Sequence, residues 1–309
     1  VAGVCFILPA AVSVTLIASV YQRAGRLPAV EALLYGVKPV VVAIVARALI
    51  GFVPTAVRGA VLGAIAALAA LAVVLGAGEI TVLAAAGLAS WLARRRPPPA
   101  NGGAPGTPGS AGLPPPDATT AALALPIPAV LAATGAAPVG LVPLFLTFLK
   151  IGSVLFGSGY VLLAFLRADL VQRLGWITEA QLLDAVAVGQ ITPGPLFTSA
   201  TFIGFLVAGI PGAAVATVAI FLPAFVFVGL SGPILPRLRR SPSAAAVLDG
   251  INAASVALMA VVAVQLARAA IVDLPAALLA AAAFAVLNFT KASSVWLMAA
   301  GAAVGLALR

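Results

Sequence analysis

VAGVCFILPA, Val1–Ala10, returns as VATVAIFLPA at Val215–Ala224, and the register holds without a gap beyond those ten residues. At this offset of 214, 18 of the first 46 pairs are identical. Shared alanine alone would produce several of them. Coincident Pro9 with Pro223, Arg23 with Arg237, Arg26 with Arg240, Pro28 with Pro242 and Gly36 with Gly250 need more than composition, and Gly87 with Gly301 and Arg95 with Arg309 extend the match. Self-similarity at a fixed offset marks duplicated architecture. The chain therefore reads as two homologous halves.

The solvent of those halves follows from composition. Of 309 residues, 63% are hydrophobic and 8% charged, with no His at all. Soluble chains carry about 25% charged residues, so this one has too little polar surface to cover itself in water, and its solvent is lipid. The net charge of +9 does not point to nucleic acid, because the basic residues stand at the ends of apolar runs rather than on one face with interleaved aromatics. Arg23 and Arg26, and again Arg237, Arg239 and Arg240, read as positive-inside markers. Cys5 is the only cysteine, which excludes a disulfide framework or a thiolate metal site within the chain. The expectation is no metal and no cofactor. Without a Walker-type loop, GxSxG or HExxH, nothing points to an enzyme or to ATP drive.

Apolar stretches fill Val1–Leu92 and Val139–Leu308, and between them runs RRRPPPANGGAPGTPGSAGLPPP from Arg94. Pro, Gly and Ser at that density cannot bury enough surface to offset ordering entropy. The expected division is a first membrane half over residues 1–93, a flexible linker over 94–138 and a second membrane half over 139–309. Starting inside an apolar run, with nothing matching residues 142–214 ahead of it, the first half reads as N-terminally incomplete. A helix needs roughly 20 apolar residues to cross the bilayer. Candidate spans are Val1–Val20, Val37–Phe52, Ala56–Leu75, Ile80–Leu92, Val139–Leu166, a Gly/Pro-interrupted Leu182–Ala208, Ala213–Leu230, Ile251–Leu266, Leu274–Asn288 and Ser294–Leu308. Alternation of apolar with polar residues is absent, so a β-barrel is not expected. The fold class is all-α, a polytopic integral membrane protein with about 8 to 10 transmembrane or re-entrant helices.

Two segments interrupt helices at membrane depth: FLKIGSVLFGSGY, Phe148–Tyr160, and GQITPGPLFTSATFIG, Gly189–Gly204. Pro193 and Pro195 remove backbone donors, and lipid tolerates freed backbone groups only where they face protein or a water-filled cavity. In transporters such broken helices aim partially positive half-helix N-termini at anions near the midplane. The hydroxyls of Thr192, Thr198, Ser199 and Thr201 lie around one break, with Gln190 a further candidate beside them, and those of Ser153 and Ser158 around the other; together the hydroxyls could replace the hydration shell of an oxyanion. Each hydroxyl could instead bond its own helix backbone, and the breaks could be kinks with no ligand. Lys150, inside the apolar run Leu141–Phe156, is an intramembrane charge and a functional candidate. It could attract a dianion, snorkel to the surface, or pair with Asp169 or Asp184. The stretch RADLVQRLGWITEAQLLDA, from Arg167, reads as a polar loop at the membrane surface, its Asp169, Glu179 and Asp184 either solvated or serving proton coupling.

The ordered run FLKIGSVLFGSGY, LGWITEAQLLDAVAVGQITPGPLFTSATFIGFLVAG and IFLPAFVFV resembles the chromate ion transporter family, whose halves each bear an FGG-like and a PGP motif. The resemblance is close over Leu141–Arg309, while Val1 to about Phe52 resembles the later part of that family's first half. Phe156, Gly157 and Gly159 stand where the FGG-like motif would be, with Ser158 a departure from it. Pro193, Gly194 and Pro195 match the PGP motif. The resemblance implies export of chromate, with sulfate as structural analogue, by an antiporter of the inner (plasma) membrane coupled to the membrane potential or to protons. The expected partners are the oxyanion and the lipid bilayer; a homo-oligomer is compatible with the sequence. Two alternatives stay open, a non-transporting membrane scaffold and an anion channel.

Overall fold

The computed structural model describes residues 2–24, 27–95, 140–155, 159–192, 195–290 and 293–308. Every regular element among them is helical. The first half gives α1 (Ala2–Ala24), α2 (Pro28–Ala56), α3 (Ala60–Val74) and α4 (Glu79–Arg95). After residue 140 come α5 (Leu141–Val154), α6 (Leu162–Leu166), α7 (Glu179–Ile191), α8 (Ser199–Arg240), α9 (Pro242–Ala270), α10 (Leu274–Phe289) and α11 (Ser294–Leu308). Most of the linker read over 94–138 lies outside the described residues, although α4 itself continues through Arg94 to Arg95.

The offset of 214 is visible in the helix boundaries. Adding it to Pro28–Ala56 gives the bounds of α9, and α3 and α4 likewise fall on α10 and α11. Both long helices start with proline in the first turn, whose missing N–H has no acceptor to lose there. The copies differ in their caps. Leu27 offers α2 no side-chain cap, whereas Ser241 accepts from the Ala244 amide to open α9.

Four helices, α1, α2, the long run Leu196–Leu230 and α9, are long and apolar enough to cross a membrane. Their outward surface is apolar: Phe6, Leu16, Ile50, Ile210 and Val264 are all more than half exposed. That arrangement suits lipid. Since lipid is as apolar as leucine, helices gain little by hiding leucine from it, and close backbone contact through small residues does the holding. At Gly36 an added Cβ would lie 1.9 Å from the Gly301 carbonyl, and at Gly250, its partner in the repeat, 2.3 Å from the Ala86 carbonyl. α2 thus seats on α11 and α10 of the second half, while α9 seats on α4 and α3 of the first. The equivalent positions Tyr35 and Asp249 both reach across: Tyr35 donates to Asp273 at 2.6 Å, and Asp249 pairs with Arg94.

Two sequence expectations change in detail. Val139–Leu166 is no single span, because α5 ends at Val154, where Leu155 turns to extended backbone, and the next described element is the 3-10 turn from Gly159. The stretch from Arg167 is no solvated loop: Arg167–Arg173 forms a π-helix continuing α6, and Asp169 and Asp184 are both buried. Between the expected spans Leu182–Ala208 and Ala213–Leu230, α8 bends sharply, in keeping with that division. Ala208 and Gly209 leave helical geometry, Gly209 at φ +64°, and the limbs 199–207 and 210–240 fold against each other where Gly204 meets Gly212.

Candidate functional site

Both interrupted segments form the tips of helical hairpins. α5 enters the first, and the 3-10 turn Gly159–Val161, α6 and the π-helix leave it. α7 enters the second, and the 3-10 turn Leu196–Thr198 and α8 leave it. Thr178 starts α7 with a capping box, accepting from the Gln181 amide while the Gln181 side chain accepts from the Thr178 amide. Phe156, Gly157, Ser158, Pro193 and Gly194, five of the residues singled out by sequence, lie outside the described residues.

The described residues bring the tips together. Gln190 Nε2 donates to Tyr160 Oη at 3.0 Å, and the space beside Gly159 is closed by the Phe197 ring, 3.7 Å from where a Cβ would sit. Phe197 in turn packs on Phe221 of α8, ring centroids 5.7 Å apart.

The hydroxyls divide into two groups. Ser153 donates to Leu149 O at 2.7 Å, Thr192 to Val188 O at 3.0 Å and Thr198 to Pro195 O at 3.0 Å, each back onto its own turn. Thr201 meets the Thr217 hydroxyl at 2.7 Å across the bend of α8. Ser199 differs. Its Oγ is fully buried and has no hydrogen-bond partner among the described residues. It opens α8 directly after the 3-10 turn Leu196–Thr198, with its own amide bonded to Leu196 O and that of Thr198 to Pro195 O, and it lies 2.5 Å from where a Cβ on Gly189 would stand. A buried hydroxyl without a partner is costly, and this one sits beside the TPGP break.

Lys150 does not point to the tips. Its Nζ is bound to both carboxylate oxygens of Asp169, at 2.9 and 2.8 Å, and Arg173 adds a third contact to Asp169 at 3.0 Å. The pair ties the two arms of the first hairpin together. Arg167 and Glu179, 2.6 Å apart, tie the π-helix to α7. Beside them opens a cavity of about 650 Å³ lined by Glu79, Arg167, Asp169, Arg173, Gln265 and Arg268 among others, and by none of the tip residues.

One charged cluster escaped sequence reading. Asp184 of α7 takes a hydrogen bond from Tyr21 of α1 at 2.8 Å and an ion pair from Lys38 of α2 at 3.2 Å. Lys38 stands in the apolar run that continues through Val45, flanked by Val37 and Pro39. The same test that picks out Lys150, a charge inside an apolar run, would have found it.

Residues 1–91 and 142–306 match the family described as Chromate transporter. A chromate transport protein of Cupriavidus metallidurans is 33% identical over 307 residues, covering 98% of this chain and 73% of that protein. A probable chromate transport protein of Synechococcus elongatus is 39% identical over 130 residues, 42% of this chain and 33% of that one. A chromate transport protein of Pseudomonas aeruginosa is 38% identical over 125 residues, 40% and 30% of the two chains. No solved structure matches.

Proposed function

The chain belongs to the chromate transporter family, and from that premise we propose that it carries chromate across the cytoplasmic membrane as a secondary transporter, outward, at the meeting point of the two hairpin tips. The observation that carries the site is the junction of Gln190 with Tyr160 beside the unpaired Ser199 hydroxyl. An oxyanion stripped of water needs donors already in place, and a buried hydroxyl with no partner among the described residues offers one at little reorganisation cost. Gly159, Gln190, Thr192, Pro195, Thr198 and Ser199 form the described part of this site. Phe156, Gly157, Ser158, Pro193 and Gly194 complete it by sequence. Ser153 and Lys150 serve it from the hairpin arm, Lys150 by holding Asp169. Sulfate, a tetrahedral dianion of the same charge, is a competing substrate in this reading, and the outward direction is supported by the family resemblance.

The test is exchange of labelled chromate in vesicles reconstituted with the full chain. Ser199→Ala removes a hydroxyl that has no partner among the described residues, so its abundance and unfolding temperature should equal or exceed those of the unsubstituted chain. Its half-saturating chromate concentration should rise about tenfold or more, the loss expected for one hydrogen bond to a charged ligand. Exchange equal to that of Leu278→Ala, an outward-facing control on α10, would remove the tips from the site. No exchange by the unsubstituted chain would overturn transport itself. Flux that does not saturate would favour the channel.

A further inference from the structure

One buried polar cluster lies away from the hairpin tips. Asp184 is 2% exposed, two helical turns before the break on α7, and its partners come from two other helices, Tyr21 from α1 and Lys38 from α2. Tyr21 also packs edge-on against Phe202 of the first limb of α8, ring centroids 5.2 Å apart. The cluster therefore joins the first half of the chain to both arms of the second hairpin. Taking a carboxylate and an ammonium out of water costs several kcal/mol per ion, and well-packed apolar residues would hold three helices together as well or better. Ionisable groups inside membrane proteins mark proton and ion pathways.

The two carboxylate oxygens are treated differently. Oδ2 accepts from Tyr21, while Oδ1 faces Lys38 at 3.2 Å and takes no hydrogen bond among the described residues. The Lys38 side chain is 21% exposed against 3% for Asp184, so the ammonium marks the wetter side of the carboxylate. Arg23 of α1 and Glu31 and Arg47 of α2 make no ion pair with Asp184 among the described residues, and the remaining described charged side chains on elements packed against α7 are engaged elsewhere or line the separate cavity. Arg167 pairs with Glu179, and Asp169 with Lys150 and Arg173; on α9, Asp249 pairs with Arg94 and Arg268 lines the cavity. Asp184 thus has one counter-ion and one neutral donor.

We propose that Asp184 is the proton-binding residue that couples chromate movement to a pH gradient, a reading that rests on the transport function above. A proton arriving from one face binds Oδ1 and turns the carboxylate into a carboxylic acid. The ion pair with Lys38 then loses its negative member, and α7, which carries Gln190 and Thr192 at its far end, is released from α2. Loss of the proton to the other face restores the pair. One proton enters and one leaves in each cycle, and no bond other than O–H is made or broken.

The test separates two modes of transport in vesicles holding the full chain. Exchange of labelled for unlabelled chromate requires no net proton movement. Accumulation driven by an imposed pH gradient, with the membrane potential clamped to zero on the alkaline side where chromate is the dianion, requires it. The unsubstituted chain should do both. Asp184→Asn should continue to exchange while its gradient-driven accumulation falls to the leak of protein-free vesicles. Because Asp184→Asn leaves Lys38 unpaired and could lower the folded yield, the double variant Lys38→Gln/Asp184→Asn, which removes both charges, should give the same split. Gradient-driven accumulation by either variant at the unsubstituted rate overturns the proposal. So does loss of exchange in both variants at normal abundance, which would make the cluster a structural clamp. An unsubstituted chain that exchanges but ignores the pH gradient overturns the coupling and leaves the transport reading standing. One that does not exchange overturns both.

Discussion

Lys150 and Lys38 are chemically the same residue in similar apolar surroundings, and their different legibility is instructive. Lys150 is legible as a charge inside an apolar run, with Asp169 one of two partners the sequence offers. Lys38 lay in a span that read as routine, and its partner is 146 residues away in sequence, a distance no local pattern encodes. The structure assigns Lys150 to a carboxylate rather than to open space, and this makes a prediction at the level of one side chain. Breaking a buried pair by removing one partner costs about 3–5 kcal/mol. Lys150 is a quarter exposed and Arg173 stays on Asp169, so Lys150→Ala should cost less, about 1–2 kcal/mol. Lys150→Met combined with Asp169→Leu should recover most of that loss, since no charge is left unpaired in the interior. Unfolding temperatures of the detergent-solubilised variants decide the matter. A Lys150→Ala protein that melts normally but no longer exchanges chromate would make the ammonium a direct ligand instead.

Among the elements, apolar run length was a reliable guide wherever a helix simply crosses. α2, α4, α9, α10 and α11 all contain the spans expected of them, and α3 lies within its own. Reversals were harder to read. Gly and Pro announce that a helix can break, but whether the chain then continues, bends or turns back depends on what the next limb finds to pack against. At the first hairpin, Gly152 lies so close to α8 that an added Cβ would stand 2.4 Å from the Ile220 carbonyl. Within α8, Gly209 supplies a left-handed residue, and the limbs cross with backbone on backbone at Gly204 and Gly212. A Cβ at Gly212 would fall 2.1 Å from the Gly204 carbonyl, which no side-chain rotation relieves. Gly212→Val should therefore destabilise by about 3 kcal/mol or more, at or above the upper end of ordinary overpacking, and cut the monodisperse yield sharply. Gly229, in the same helix with nothing within 4 Å of an added Cβ, provides the contrast. Gly229→Ala should be neutral or stabilising by up to about 1 kcal/mol through helix propensity. Equal behaviour of the two variants would mean that the limbs do not cross as described.

At the scale of the whole molecule, the repeat was visible in sequence but its assembly was not. Two copies in tandem suggest two units side by side, each closed on itself. The structure instead crosses them, with α2 against α10 and α11, and α9 against α3 and α4. The reason is physical. In lipid a helix gains from neighbours whose small residues admit its backbone, and the glycines that do this are distributed so that Gly36 meets Gly301 and Gly305 while Gly250 meets the turn of Ala86 and Ser90. Half of the most apolar window of α2 is buried, and slightly more of that of α9. Much of that burial belongs to the other half of the chain. Residues 1–95 and 140–309 expressed alone should consequently aggregate or be degraded, each exposing a glycine-lined helix face with no partner. Expressed together as separate polypeptides, they should copurify through a tag on either one. Changing Gly36 and Gly250 to Leu one at a time in the co-expressed pair should abolish copurification in both cases, because each substitution drives a side chain into backbone of the opposite half. A first half that is monodisperse by itself, or a pair whose recovery ignores both glycines, would show that the halves are self-contained and that the crossing of α2 and α9 is dispensable.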